Sequence, residues 1–385
     1  MTPYFARPAL ASDMATQLLR PGVLQEGLRS GLFLSGLRRT GKTTFLRNDL
    51  IPALEAQGAL VIYVDLWSDT KASPAQLVRD AIRTALSALQ TPGSALLDKL
   101  GRLSGADVGV LSFKFGFKLD KVGEPGGAPL SQVVTELVDQ ARTDVVLIVD
   151  EVQQAITTEE GNHLLLALKA ARDAVNPRPD TPGHFIFLGT GSHRAMVSEL
   201  TMRRTQAFNG ATSMPYPVLD ADYVEHLLAR LAHEGVGQLP SRDVALAAFR
   251  TLGNRPEEMI KALRQLQLHV PAGSDPDIYL PVIAATLRSS AADIELAKVE
   301  QLGSLAMAIF ERIAGTDGDA KGIFSADAAA DYSRTLGREV KVEEIQPVVN
   351  ELMEANVVMR RGHGLYSITD PFVQETWREK QRLLS

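Results

Sequence analysis

Apolar residues follow two patterns in residues 1–219. Continuous apolar runs are typical of parallel strands covered on both faces, whereas apolar residues spaced three or four apart are typical of helices. Strands are predicted at residues 32–34, 59–66, 145–149, 184–188 and 214–219. Helices are predicted at residues 12–19, 42–50, 74–89, 131–142 and 162–175. This alternation predicts an α/β fold with a parallel sheet.

The pattern becomes helical after residue 219. Amphipathic helices at residues 221–233, 241–252 and 256–268 predict a lid on the α/β core. Helices at residues 302–313, 325–336 and 342–356 precede a hairpin at 357–368, which is the order of a winged helix. We therefore predict an N-terminal lead-in (1–30), a core (31–219), a helical lid (220–270), a connecting segment that turns helical (271–300) and a winged-helix domain (301–385).

Residues 91–129 form an insert that is too long for an ordinary connection within the core. Within it, residues 108–119 alternate apolar and polar side chains, and glycine-rich sequence follows them. Such alternation predicts a β-hairpin or ribbon. An insert of this length is also a candidate for contacts with a partner.

Composition excludes several classes of protein. The chain has 385 residues, of which 45% are hydrophobic and 22% charged, so it can bury a hydrophobic core without covalent cross-links. It has no cysteine, which excludes disulfides, thiolate catalysis and cysteine-based zinc sites. Because there is neither an export signal nor an 18-residue apolar run, we expect a cytoplasmic protein without a membrane span. A net charge of −6 argues against general binding of polyanions.

The strongest motif lies between the first predicted strand and its helix. Residues 36–43, GLRRTGKT, fit the phosphate-binding loop G-x-x-x-x-G-K-[ST]. Glycines let the backbone curl so that N–H groups and the helix start point at phosphate oxygens. We expect Lys42 to reach the β- and γ-phosphates and Thr43 to ligate Mg²⁺. The predicted phosphate-binding residues are Gly36, Leu37, Arg38, Arg39, Thr40, Gly41, Lys42, Thr43 and Thr44.

A second motif, Asp150-Glu151, ends the strand predicted at residues 145–149. Ligands of open α/β sheets bind at the carboxyl ends of the strands, so these carboxylates are expected to lie near the loop. Asp150 would hold Mg²⁺ through water, and Glu151 would polarise the attacking water. The predicted cofactors are therefore ATP and Mg²⁺, and the predicted catalytic residues are Glu151 and Lys42.

Other candidates carry weaker signals. Thr190 and Ser192 follow the strand at 184–188, where a polar residue senses a γ-phosphate or simply forms a turn. Arg203 and Arg204 are candidates for an arginine finger, although most arginines are solvated surface residues. In the lead-in, Phe5 and Arg7 would border an adenine, but a surface segment is the favoured interpretation.

The sequence resembles the archaeal-type ATPases of the STAND branch, which is similar to the AAA+ initiator ATPases. The matching segments are GLRRTGKTTFL, LIVDEVQQA, FIFLGTGSHRAMVSEL, LGNRP and GLYSITDPFVQETW. The resemblance implies an ATPase core with a helical lid and a C-terminal winged helix that acts as an ATP-dependent switch. It also places Gly253 and Pro256 at the lid motif that approaches the nucleotide.

Two departures from that family affect arginine candidates. The lid motif, Gly-Asn-Arg-Pro, has one residue more than the family's Gly-x-Pro, so Arg255 is a candidate for the lid arginine typical of AAA+ proteins. The family often carries Gly-Arg ahead of its last strand, whereas Ala211 follows Gly210 here. A finger would therefore have to come from Arg203 or Arg204.

The predicted winged helix has an unfavourable charge for DNA. Its third helix carries four glutamates and no basic residue, and residues 301–385 contain 10 Lys and Arg against 13 Asp and Glu. Only the tip around Arg360, Arg361 and His363 is basic. We therefore favour a slow ATPase switch that gates a protein partner. Alternatives are an ATP-dependent DNA-binding initiator or mobile-element regulator, and a scaffold that never hydrolyses ATP; a nucleotide-dependent homo-oligomer is also compatible with the sequence.

Overall fold

The protein core is built on a parallel sheet. The computed structural model describes residues 4–69, 71–104, 113–203, 205–271 and 273–384. Five parallel strands have the order β2-β3-β4-β1-β5. They are β1 (Leu32–Ser35), β2 (Leu60–Asp65), β3 (Val145–Asp150), β4 (Phe185–Gly191) and β5 (Thr212–Pro215). The α/β prediction is confirmed. Only β5 is displaced from its predicted position: it starts two residues before the predicted segment and ends at Pro215.

Helices cover both faces of this sheet. They are α1 (Pro8–Leu19), α2 (Lys42–Phe45), α3 (Ile51–Ala56), α4 (Pro74–Gln90), α5 (Ala95–Ser104), α6 (Leu130–Ala141), α7 (Glu159–Val175) and α8 (Arg194–Met202). One face packs against α1, α2 and α3, and the other against α4, α6 and α7. A π-helical turn, Leu46–Leu50, joins α2 to α3. Pro52 has no N–H to donate one turn back, which accounts for the shifted hydrogen bonds there.

The N-terminal segment is part of the core rather than a surface lead-in. Helix α1 begins at Pro8, four residues before the predicted start, because proline is tolerated in the first helical turn. Ala11, Met14 and Leu18 on α1 are buried against α3 and the sheet. A short 3₁₀ helix, Val23–Ser30, then leads into β1.

The insert differs from its prediction. Residues 95–104 form the unpredicted α5, and residues 105–112 lie outside the described residues. The described half of the predicted ribbon, 113–119, contains no strand, so that part of the prediction is wrong. Side chains of α6 take the place of a partner strand: Gln140 Oε1 accepts from the Lys114 N–H at 2.9 Å, and its Nε2 donates to the Lys114 carbonyl at 2.8 Å. The alternating residues are aromatic rings that pack on the core, Phe113, Phe115 and Phe117.

The lid contains four helices. The three predicted ones are α9 (Ala221–His233), α10 (Arg242–Thr251) and α11 (Pro256–His269). The connecting segment is mostly one helix, α12 (Pro276–Gln301). Its first half adds Leu280 and Ala284 to the lid core around Phe249 and Met259. Its last turns pack through Val299 against the C-terminal helices, so α12 joins the two parts.

Residues 304–384 form a C-terminal module with its own hydrophobic core. Three helices, α13 (Ser304–Gly315), α14 (Ala326–Leu336) and α15 (Val342–Glu354), precede the antiparallel strands β6 (Val358–Gly362) and β7 (Leu365–Ile368). This is the order on which the winged-helix prediction rests. A final helix, α16 (Pro371–Leu384), was not predicted, although Asp370-Pro371 is a helix-start signal.

No helix in the described part of the chain is both long enough and apolar enough to cross a membrane.

Candidate functional site

The loop between β1 and α2 is shaped by its glycines. The Gly36 N–H donates to the Gly191 carbonyl at 3.2 Å, which ties the loop to the end of β4. Gly41 precedes α2 at φ 91°, a left-handed conformation that glycine adopts at little cost. A Cβ atom at Gly36 would lie 3.1 Å from the Tyr216 Cβ, so a larger residue would crowd β5's end. The Thr40 hydroxyl donates to the Leu37 carbonyl at 2.9 Å and closes the turn.

Lys42 lies inside this loop. Its Nζ donates to the carbonyls of Gly36 at 2.8 Å and Leu37 at 2.9 Å, and the side chain is only 6% exposed. Burial lowers the pKa of the Lys42 ammonium, while Glu151 and Asp150 oppose that shift. A buried cation held by neutral acceptors at a helix N-terminus is a donor set that fits a polyphosphate.

Asp150 is fully buried and is held by three hydroxyl groups. Its Oδ2 accepts from Thr43 Oγ1 at 2.7 Å and from the Tyr63 hydroxyl at 3.2 Å, and its Oδ1 accepts from Thr190 Oγ1. Thr190 reaches this position because β4 lies between β3 and β1. The two predicted magnesium ligands, Thr43 and Asp150, are therefore in direct contact across 107 positions of sequence.

Thr43 and Asp150 suit a magnesium ion better than a metal whose ligands all come from the protein. No group of three or more His, Asp or Glu side chains in the described ranges is placed to hold a metal. Mg²⁺ usually takes only one or two protein oxygens and completes its shell with water and phosphate. Thr43 and Asp150 match that requirement.

Glu151 is also immobilised. Its backbone has φ 57°, and its Oε2 accepts from the Ser192 N–H at 3.2 Å, from Ser192 Oγ at 2.8 Å and from Gln153 Nε2. Both predicted phosphate sensors thus contact the acidic pair: Thr190 contacts Asp150, and Ser192 contacts Glu151. The structure brings them to the site, but their partners are carboxylates.

The exposed tip of the loop contacts the lid. Arg39 Nε lies 3.1 Å from Glu257 Oε2, and its Nη1 lies 3.6 Å from Glu258 Oε1. The Arg38 guanidinium lies over the Trp67 ring, 4.6 Å from its centroid. Thr44 is exposed on the first turn of α2. The start of α11 therefore lies beside the phosphate-binding loop.

The lid motif faces the C-terminal module as well as the loop. Arg255 Nη2 donates to Asp370 Oδ2 at 2.6 Å, and the Gly253 backbone packs on the Phe372 ring. Pro256 begins α11. A cavity of about 680 Å³ is shared by the loop tip, the lid and the C-terminal module, and its lining includes Leu37, Arg38, Arg39, Ser192, Arg255 and Asp370.

The remaining candidates are distributed around the site. Arg203 pairs with Glu199 at 3.0 Å on α8 and is half exposed, and Arg204 lies outside the described residues. Arg7 donates to the Pro217 carbonyl at 2.6 Å and to the Tyr216 hydroxyl at 3.2 Å. Phe5 packs on Tyr223 of the lid. The N-terminal segment thus joins β5's end to the lid.

Sequence reasoning missed three residues at this site. Tyr63 is the one hydroxyl-bearing side chain in an otherwise aliphatic stretch of β2, and that contrast was an available signal. Gln153 follows the acidic pair by two positions, but nothing local shows that its amide turns back to Glu151. Asp370 belongs to a helix-start signal that gives no hint of Arg255.

Gly191, at the end of β4, is packed closely against Gln153 and Val197, so a substitution there tests the packing near the acidic pair. A Cβ atom at Gly191 would overlap Gln153 Oε1 and lie 2.5 Å from Val197 Cγ2, both on buried side chains. We expect Gly191→Ala to lower the free energy of unfolding by about 1–3 kcal/mol, as overpacking typically does. Urea denaturation measures this. Gly22→Ala is the control, because a Cβ there meets nothing within 4 Å, and an equal loss in both variants would contradict the packing argument.

Comparison with known proteins supports the interpretation of the loop and the acidic pair as a nucleotide site. The family model of the AAA domain matches residues 26–197, which include the loop, both acidic residues and Ser192. These residues therefore carry an AAA domain, and the chain is an ATP hydrolase. No curated protein matches it significantly in sequence. The match does not distinguish the STAND branch, which stays a prediction.

Solved structures share the fold of this chain over nearly all of its length. The Walker-type ATPase PABY2304 of Pyrococcus abyssi is 18% identical with a TM-score of 0.53, and the alignment covers 95% of each chain. The ORC2 protein of Aeropyrum pernix, solved as ADPNP-ADP complexes, is 14% identical with a TM-score of 0.50, covering 100% of this chain and 98% of that one. Identities this low establish a common fold only.

AAA+ ATPases bind ATP or ADP with Mg²⁺. In this chain the buried Lys42 is the side chain whose chemistry suits the phosphates, and the contacting pair Thr43 and Asp150 is the one that would hold the metal. The bound nucleotide supplies the phosphoanhydride bond that is hydrolysed. The described residues offer a buried positive charge at Lys42 and an immobilised carboxylate at Glu151.

Proposed function

We propose that this AAA+ ATPase is a slow, ATP-dependent switch that gates a protein partner. Lys42 and the loop amides hold the phosphates, Thr43 and Asp150 hold Mg²⁺, and Glu151 orients the attacking water. The observation that carries the proposal is the 2.7 Å contact between Thr43 Oγ1 and Asp150 Oδ2, because it supports one metal site shared by both motifs.

Slow turnover is supported by the environment of Glu151. Three donors from Ser192 and Gln153 point at its Oε2. A general base must be within hydrogen-bond reach of the proton that it accepts, and an oxygen with three donors has little capacity left for water. Hydrolysis therefore requires Glu151 to use its other oxygen or to leave part of this arrangement.

A switch also needs a part that responds to the nucleotide. The residues that follow Ser192 contact the C-terminal module: His193 Nε2 lies 2.9 Å from the Glu354 carbonyl, and Ser198 Oγ donates to the Arg360 carbonyl at 2.9 Å. Burial lowers the pKa of His193, so its ring is neutral near pH 7. These contacts give the module a physical connection to the acidic pair.

A protein partner is favoured over DNA by charge. On α15, Glu343, Glu351 and Glu354 are exposed, and phosphates would be repelled from that face. The DNA alternative is supported by the hairpin tip, where Arg361 and His363 are exposed. A finger role for Arg203 would require a neighbouring copy of the chain, since its side chain lies on the outside of α8.

The proposal is tested by comparing two immobilised variants in Mg²⁺ and ATP. Glu151→Gln should hold ATP, whereas Lys42→Ala should not, so a partner gated by ATP is retained by the first variant and lost from the second. Equal retention by both variants would contradict a nucleotide-dependent switch. Duplex DNA is offered to the same pair across a salt series, and binding whose log K falls with log salt would favour the DNA alternative.

A further inference from the structure

The lid arginine is occupied by a carboxylate of the C-terminal module. Arg255 Nη2 donates to Asp370 Oδ2 at 2.6 Å, and the two side chains are only 21% and 17% exposed. The other oxygen of Asp370, Oδ1, accepts from the Phe372 N–H at 3.0 Å at the start of α16. The buried Nε of Arg255 has no hydrogen-bond partner among the described residues, so the guanidinium is not fully satisfied by Asp370.

This ion pair lines the same cavity as the phosphate-binding loop. The lining of that cavity includes Leu37, Arg38 and Arg39 from the loop as well as both members of the ion pair. Arg39 draws the start of α11 to the loop through Glu257 and Glu258. Arg255 precedes that helix, which places its backbone beside the loop while its guanidinium is held by the C-terminal module.

The residue before Asp370 contacts the start of α8, the helix that follows Ser192. Arg194 Nη1 donates to the Thr369 carbonyl, and Arg194 is two residues from Ser192, which binds Glu151. Thr369 is itself fixed, because its N–H donates to the Val357 carbonyl at 2.8 Å. The dipeptide Thr369-Asp370 therefore contacts both the lid arginine and the segment that positions the catalytic glutamate.

We propose that Asp370 is a latch that holds Arg255 when no triphosphate is bound, and that the γ-phosphate competes with it for the same guanidinium. A guanidinium binds a carboxylate or a phosphate with the same planar donors, and Nη2 of Arg255, which donates to Asp370, cannot serve a phosphate while the pair is closed. A diphosphate lacks the competing group and leaves the pair closed. Arg255 thereby reports the third phosphate to the C-terminal module, a role that rests on the proposed nucleotide site.

Such a latch has a thermodynamic signature. A ligand shifts a two-state equilibrium only by its differential affinity for the two states. Because opening the pair costs free energy that only a triphosphate recovers, the latch weakens triphosphate binding and leaves diphosphate binding nearly unchanged. Removing the latch should therefore strengthen the preference for the triphosphate.

The test measures dissociation constants for a non-hydrolysable ATP analogue and for ADP by fluorescence titration. Asp370→Asn removes the charge, keeps the size and retains an acceptor for the Phe372 N–H, since Asn caps helices as well as Asp. We expect the analogue to bind about 10-fold more tightly and ADP to change by less than about twofold. In an Arg255→Ala background, Asp370→Asn should have no further effect.

Glu375→Gln is the matched control, because it removes another ion pair of α16, with Arg288 at 3.0 Å, without touching Arg255. It should leave the analogue-to-ADP preference unchanged; an equal change would mean general loosening of α16 and overturn the latch. An unchanged preference in Asp370→Asn, with Lys42-dependent nucleotide binding intact, would overturn the latch alone. If the parent bound nucleotide no more tightly than Lys42→Ala does, the proposed nucleotide site would be overturned as well.

A second readout follows the module directly. The chain has no cysteine, so Gln265→Cys on α11 and Gln381→Cys on α16 can be labelled specifically with a fluorescent donor and acceptor. We expect energy transfer to change on adding the ATP analogue and not on adding ADP. In Asp370→Asn the transfer should already resemble the analogue-bound value before ligand is added; identical traces for parent and variant would contradict the latch.

Discussion

Glu151→Gln is expected to bind ATP as the parent does and to release phosphate about 10²–10⁴-fold more slowly in a single turnover, the usual contribution of a general base. Glutamine keeps the size of the side chain, and its amide oxygen can still accept from Ser192 Oγ, which lies 2.8 Å from Glu151 Oε2. What it loses is the capacity to take a proton from water. The measurement is rapid-quench phosphate release with enzyme in excess over ATP.

The control for this variant is Glu159→Gln. Glu159 is an exposed glutamate in the first turn of α7, eight positions along the chain, and its replacement should leave phosphate release unchanged. Equal single-turnover rates for Glu151→Gln and the parent would remove Glu151 from catalysis. That result, together with tight ATP binding, would favour the scaffold that never hydrolyses its nucleotide.

The fold and the centre of the site were predictable because their signals are local. Strands β1 to β4 each contain a run of apolar residues, and the loop and the acidic pair each lie at the end of such a run. Parallel strands present their carboxyl ends at the same edge, so the sequence alone places Thr43 and Asp150 near each other. The lid helices were predicted well for the same reason, because their amphipathic period is long and uninterrupted.

The parts that were missed depend on which elements become neighbours. Thr190 contacts Asp150 only because β4 lies between β3 and β1, and no local pattern encodes that strand order. The described half of the predicted ribbon, 113–119, forms no strand, because Gln140 on α6 provides the hydrogen bonds that a partner strand would have provided. Arg255 was found by its position in the lid motif, yet its partner Asp370 lies 115 positions further along the chain.

Lys42→Ala is expected to weaken ATP binding by about 100-fold or more, since it removes charge-assisted hydrogen bonds to the phosphates from a site with little access to water. Isothermal titration in Mg²⁺ measures the loss. The variant should stay folded, because Lys42 is a buried ammonium whose pKa is lowered by desolvation, and only the carbonyls of Gly36 and Leu37 lose a partner.

Two further variants separate charge from packing in this prediction. Lys42→Met keeps the aliphatic stem against the loop and should lose ATP binding to the same degree, whereas Lys169→Ala, at a half-exposed position of α7, should lose none. If Lys42→Met bound ATP like the parent while Lys42→Ala did not, the lysine would act by filling the loop. The ammonium would then have no direct role toward phosphate, and the assignment of the loop as the phosphate site would rest on its backbone amides alone.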